Sequence, residues 1–190
     1  AATDDNTPTL SGNATAGNIV IISEGTTVLG SVVAGSNGAW SFTTAALSDG
    51  SHPLSVTVRD TAGNTSAATN FTVNVDTVAP ANATLLITND LTSTTVPNGG
   101  ATNDSTPTLS GTAEAGSRVS IYDGGTLLGT AVAGSNGAWT FTTDVLTQGA
   151  HPLSVTVTDA AGNVRGSTPA TVIIDTVAPG AVTGFAAANN

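Results

Sequence analysis

Asp76-Thr77-Val78-Ala79-Pro80 returns letter for letter as Asp175-Thr176-Val177-Ala178-Pro179. Each copy closes an alternating apolar run, Phe71, Val73 and Val75 in the first and Ala170, Val172 and Ile174 in the second. Alternation with a period of two marks a half-buried strand. Proline lacks a backbone N–H and blocks further pairing. The stretch therefore reads as the last strand of a domain, with an acid at its tip and a short stiff linker behind it.

Other segments repeat in step with this one. Asp5-Asn6-Thr7-Pro8-Thr9-Leu10-Ser11-Gly12 matches Asp104-Ser105-Thr106-Pro107-Thr108-Leu109-Ser110-Gly111, and Ala34 to Trp40 matches Ala133 to Trp139. His52 to Val58 matches His151 to Val157, and Asp60-Thr61-Ala62-Gly63-Asn64 matches Asp159-Ala160-Ala161-Gly162-Asn163. Every matched pair lies 99 residues apart. A chain of 190 residues fits one domain or two by length alone; the repetition decides for two. Residues 1–77 form the first repeat and 78–177 the second, and 178–190 hold a linker and the opening of a following repeat, expected to be a loose tail.

In the second repeat, alternation and turn residues predict strands over 84–88, 108–113, 118–122, 126–132, 138–142, 152–158 and 168–174. Asp123-Gly124-Gly125 and Ser135-Asn136-Gly137 supply hairpin turns. Leu153, Val155 and Val157 point inward, as do Trp139 and Phe141, with Thr140 and Thr142 outward. Seven short strands in about a hundred residues is the size of an immunoglobulin-like sandwich. No cysteine pair bridges the sheets, and Trp40 and Trp139 read as core plugs, with sugar stacking the lesser alternative. The fold class is all-β, two tandem Ig-like Greek-key β-sandwiches joined end to end. The counterpart of 81–103 is almost wholly missing from the first repeat, which should lack a first strand and expose a sheet edge.

Composition narrows the function. Thirteen acids face only Arg59, Arg118 and Arg165, for a net charge of −10. Nucleic-acid binding needs a basic footprint, so it is excluded, and docking on anionic lipid is disfavoured. No apolar run is long enough to span a bilayer, so membrane insertion is not expected. With no cysteine and two histidines, the cation best matched to the excess carboxylate is calcium. The chain shows no signal peptide and no initiator methionine, and reads as a piece of a longer array.

The string at 102–113, with Gly137-Ala138-Trp139, Asp159 to Asn163 and Asp175 to Pro179, resembles the bacterial Ig-like repeats of giant Gram-negative surface adhesins, the biofilm-associated and type I-secreted kinds. The resemblance covers nearly the whole chain. It implies an extender module of a secreted, cell-surface adhesin, with Ca2+ at the domain junctions stiffening the rod. It also implies that host-cell or biofilm-matrix ligands are bound by other domains. The partners expected of this stretch are neighbouring repeats of its own chain, and the chain itself is expected to be a monomer.

An immunoglobulin-type chain path brings Asp76 towards Asp159 and Asn163, with Glu114 in a neighbouring loop, as a first candidate calcium set. Asp90, Asp104 and Asp175 form a second, whose first-repeat version keeps Asp5 and Asp76 with no partner for Asp90, while Asp60 and Asn64, facing a preceding domain, are expected to make a weak or empty half-site. Set against this, Asp and Asn favour turns because their side chains bond nearby amides. Return of the acids at matching positions (5/104, 60/159, 76/175) favours the ligand reading. For Glu24, Asp49, Asp123 and Asp144 the solvated-turn reading is preferred.

No catalytic constellation stands out. His52 and His151 are equivalent single histidines, which suggests a structural role. Polar-end carboxylate pairs could be drawn for glycoside hydrolysis, but with aromatics at 4% there is no lined cleft for a sugar. Thr140, Thr142, Thr156 and Thr158 are the outer face of amphipathic strands rather than a flat water-ordering array. The expectation is a non-enzymatic spacer. The competing class is a recognition module that binds a host or matrix glycan or protein directly.

Overall fold

The computed structural model describes residues 2–167 and 169–184. Two compact units emerge, residues up to 80 together with 158–165, and residues 81–157 together with 166 onward. Every regular element among the described residues is a strand.

The first unit contains β1 (Ala2–Thr3), β2 (Thr9–Asn13), β3 (Ile19–Glu24), β4 (Thr27–Val33), β5 (Ala39–Thr43), β6 (Gly50–Arg59) and β7 (Thr69–Val75). Its larger sheet runs β1-β7-β6-β3-β4, and β2 and β5 form a separate two-stranded sheet. The second unit contains β8 (Leu86–Asn89), β9 (Thr94–Val96), β10 (Ala101–Thr102), β11 (Thr108–Thr112), β12 (Arg118–Asp123), β13 (Thr126–Val132), β14 (Ala138–Thr142), β15 (Gly149–Thr158, its last residue counted with the first unit) and β17 (Ala170–Ile174), and β16 (Val164–Gly166) straddles the division between the units. Its larger sheet runs β10-β17-β15-β12-β13, and the facing sheet runs β14-β11-β8-β9. Both are Ig-like sandwiches, one the copy of the other apart from β8, β9 and β16, which have no strand counterpart among the described residues of the first repeat.

Inward alternation decides the packing. Leu153 is fully buried and Val155 nearly so, in one core with Leu109 and Trp139 of the opposite sheet, and Val157 is fully buried as well. Ile87 and Val96, on β8 and β9, close that core from the side. In the first unit the buried cluster is smaller: Leu10, Val20, Ile22 and Leu54. Trp40, Val56 and Val58 are only half-buried there, although Trp139, Val155 and Val157 are buried at the same repeat positions. Each aliphatic side chain taken fully from water contributes about 1.5–3 kcal/mol, so the two cores differ by several such increments.

Three strands of the second repeat, β9, β10 and β16, lie outside those the sequence predicts. β9 pairs antiparallel with β8, and β10 pairs parallel with β17 through Ala101↔Ile173 and Thr102↔Ile174. β1 does the same with β7 in the first unit. The alternation over 84–88 is realised as β8 over 86–89, with Thr84 still bonding Thr112: its amide donates to the Thr112 carbonyl at 2.9 Å. The last strand begins at Ala170, and Thr168 lies outside the described residues. Of the expected tail, 180–184 carry no strand and 185–190 lie outside the described residues.

Candidate functional site

Asp159 opens a tight loop after β15. Its Oδ1 accepts the amides of Ala161, Gly162 and Asn163 at 2.8, 2.8 and 3.0 Å, and its Oδ2 accepts from Asn163 Nδ2 at 2.9 Å. The loop closes only because Gly162 takes φ of +112°, a region side-chain-bearing residues rarely adopt. Burial pushes the Asp159 carboxyl up, but the Asn163 side chain and the three amides outweigh it and hold it below its ordinary value. Asp60 repeats the arrangement, its Oδ1 accepting the Asn64 amide and its Oδ2 accepting Asn64 Nδ2, both at 2.8 Å. The Asn64 side chain is the largest cause of the lowered Asp60 value.

Asn163 has a second acceptor. Its Nδ2 also donates to the Asp76 carbonyl at 2.7 Å, within the unit that takes in 158–165. The Asp4 amide donates to the Ala161 carbonyl at 3.2 Å in the same unit. The Asp76 carboxylate itself accepts the Val78 amide at 3.1 Å, and Asp175 treats Val177 identically. Glu114 is exposed; its carbonyl accepts the Ser117 amide.

Asp104 is buried. Its Oδ1 accepts the Thr106 amide at 2.9 Å and its Oδ2 the Asp90 amide at 2.7 Å. The Asp90 carboxylate accepts from the Thr108 hydroxyl at 2.7 Å. Asp5, its counterpart, is exposed and holds only the Thr7 amide and hydroxyl, at 2.8 and 3.0 Å. The structure thus brings Asp90 to Asp104, but the Asp175 carboxylate is turned to its own turn.

Three residues read as solvated turns do more than that. His52 Nδ1 meets Glu24 at 2.8 Å and its Nε2 meets the Ser48 carbonyl at 2.7 Å. His151 Nδ1 meets Asp123 at 2.6 Å and its Nε2 the Thr147 carbonyl at 2.9 Å. The acid on the β3–β4 or β12–β13 hairpin is thereby latched to the start of β6 or β15. For His52 the Ser48 carbonyl, then Glu24, raises the imidazole pKa; for His151 burial lowers it and Asp123 with the Thr147 carbonyl raises it further, a net increase. Asp49 Oδ1 accepts the Thr77 amide and hydroxyl at 2.8 and 2.9 Å, tying the end of β7 to the strand before it. Gln148 bonds Thr176 in the same place. The signal available in the sequence was spacing: acid and histidine lie 28 residues apart in both copies.

The bacterial Ig-like domain family matches residues 1–77 and again 81–176. This chain belongs to that family. Among solved structures similar to these bacterial Ig-like domains are the fibronectin(III)-like modules of Clostridium thermocellum CbhA. They are 18% identical, with a TM-score of 0.51, covering 87% of this chain and 84% of that one. A biofilm-associated protein BSP domain is 18% identical with a TM-score of 0.36, over 93% of this chain and 29% of that. A Ca2+-stabilized adhesin of an Antarctic bacterium that binds ice is 25% identical with a TM-score of 0.43, over 90% and 45%. The chain spans less than half the length of the last two. The likeness to the fibronectin(III)-like modules is one of fold. No curated protein matches the chain.

As a calcium cage, the bacterial Ig-like loops are sparse. Among the described residues no three His, Cys, Asp or Glu side chains stand together in a metal-holding group. Most of the acids are engaged by neighbouring backbone amides. Around Asn163 the Asp159 carboxylate and the Asp76 carbonyl converge on a single donor.

Proposed function

We propose that this pair of bacterial Ig-like domains is a structural spacer of an adhesin at a bacterial surface, working outside the cell and without catalysis. The observation that supports it is how the acids are used. Asp60 and Asp159, Asp5 and Asp104, and Asp76 and Asp175 each fasten a loop backbone, at matched positions in both copies. A recognition surface would leave such groups projecting towards a ligand; here they make two sandwiches hold their shape. Partners in this reading are neighbouring repeats, with host or matrix ligands left to other domains.

Calcium belongs to the same proposal as a stiffening ion. Its first place is Asn163, where turning the carboxamide over would add its Oδ1 to Asp159 Oδ2 and the Asp76 carbonyl. Water completes the six to eight oxygens that calcium takes. Asp60 with Asn64, and Asp90 with Asp104, are weaker versions in the same proposal. Metal held by the folded form alone raises stability by mass action.

The test is thermal melting and small-angle scattering with calcium and with chelator. The proposal expects a higher melting temperature and a narrower distribution of shapes in calcium. Asp159→Ala should remove most of that response, whereas Asp76→Ala, which keeps the carbonyl, should retain much of it. Identical profiles with calcium and chelator would remove calcium from the account. Saturable glycan or host-protein binding by the isolated pair would overturn the spacer reading itself.

A further inference from the structure

β10 lies parallel to β17, through Ala101↔Ile173 and Thr102↔Ile174, whereas β15 on the other side of β17 is antiparallel to it. The contact is longer than the two residues of β10. The Gly99 amide donates to the Thr171 carbonyl at 2.7 Å, and the Thr171 amide donates to Asn98 Oδ1 at 2.8 Å. Further along, the Ile173 amide donates to the Gly100 carbonyl at 2.9 Å and the Asp175 amide to the Thr102 carbonyl at 2.8 Å. These four bonds tie 98–102 to 171–175. Thr102 and Ile174 are buried, where a hydrogen bond is stronger than in water.

The chain enters and leaves the second sandwich at opposite poles. At the entry the Thr84 amide meets the Thr112 carbonyl, where β11 finishes. At the exit Asp175 meets Thr102, and the Asp90 amide meets Asp104, just before β11 begins. A pull on the chain from both sides therefore draws β17 along its axis towards the exit, and draws β8, β9 and β10 back towards the entry. β10 and β17 point the same way, so opposed forces slide one past the other. The bonds of a parallel pair are evenly spaced, and here they lie across the sliding motion, so all carry load at once. Strands drawn apart from one end lose their bonds singly, and a single bond contributes only modestly. While the contact holds, the chain between Thr102 and Thr171 is shielded from the pull.

We infer that 98–102 and 171–175 form a mechanical clamp that sets the force at which the second sandwich opens, with Asn98 and Gly99 extending it beyond β10. Its use in the molecule rests on the spacer reading, in which tension reaches this unit along the chain. The clamp itself is a property of one sandwich: ligand binding by the pair would remove the spacer reading and leave the clamp standing.

Stretching the full chain by its two ends, in an optical trap or an atomic-force microscope, tests it. At about 3.3–3.6 Å per residue, opening 81–175 lengthens the chain by about 320 Å and opening 2–76 by about 250 Å, which tells the two events apart. Asn98 is exposed, so Asn98→Ala leaves the core intact while removing the acceptor of the Thr171 amide. It should lower the force of the longer event and leave the shorter one unchanged. Asn98→Asp keeps the accepting oxygen and should hold the parent force. Forced opening follows the rate of unfolding rather than the equilibrium stability. Leu109→Ala, a larger loss to the core, should therefore lower the force less than Asn98→Ala does, with chemical denaturation ranking the two variants in the opposite order. A force untouched by Asn98→Ala, an equal fall with Asn98→Asp, or a greater fall with Leu109→Ala would overturn the inference.

Discussion

Leu10 and Leu109 occupy the same place in two copies of one sandwich, yet Leu10 retains 9% of its surface in water and Leu109 none. Trp40 is half-buried where Trp139 is 4% exposed, and Asp5 is exposed where Asp104 is 3% exposed. All three differences have one cause. The β8–β9 hairpin covers the core, brings the Asp90 amide to Asp104 and completes the sheet beside β11. The seven-strand framework is therefore sufficient to set the topology, and the hairpin decides how dry the interior becomes.

The largest effect should come from emptying the two cores. Leu109→Ala removes a fully buried side chain from a closed core and should cost about 2–5 kcal/mol. Leu10→Ala, beside an open cleft that can relax or admit water, should cost clearly less. Chemical denaturation with a tryptophan signal from each repeat reads both, and equal losses would break the comparison.

Next come the loops. Asp159→Ala leaves three amides without their acceptor and the Asn163 side chain with the Asp76 carbonyl alone, and should destabilise by about 1–3 kcal/mol. Asp144→Ala, at an exposed position, should stay within about 0.5 kcal/mol. Amide exchange at Ala161, Gly162 and Asn163 should accelerate in the first variant alone.

A smaller effect follows pH. Both histidines have pKa values raised above 6.5 in the folded chain. A protonated imidazole donates to the hairpin acid and to a carbonyl at once, so this stabilisation is fully present below about pH 6.5 and fades as pH rises through the raised values. Asp60 and Asp159, with lowered values, act in the opposite sense: their contribution is present above about pH 3.8 and is lost as pH falls through the lowered values. Stability should therefore peak between the two ranges. Replacing both His52 and His151 by Gln should flatten the alkaline side of the profile and leave the acid side unchanged.

Much of this was legible in the sequence. The 99-residue repeat fixed two sandwiches, and alternation correctly turned Leu153, Val155 and Val157 inward because an antiparallel strand with one dry face permits nothing else. β9 and β10 were not legible. Thr94-Thr95-Val96 is too short to show alternation, and β10 owes its existence to a parallel partner some seventy residues away. The histidine latches escaped for a related reason, since a distance of 28 residues acquires meaning only once β3 is known to lie beside β6. The carboxylates were legible as a set, but whether each turns to an amide or to a shared point depends on loop closure, which composition does not encode.

Site-resolved hydrogen exchange at the edges of β2 and β11 measures the contrast between the copies most directly. In dilute chain the amides of Ser110 and Thr112, facing β8, should exchange slowly, and those of Ser11 and Asn13 close to the rate of an unprotected chain. Equal protection at both edges would mean that the first sandwich is as fully covered as the second, and would contradict the account.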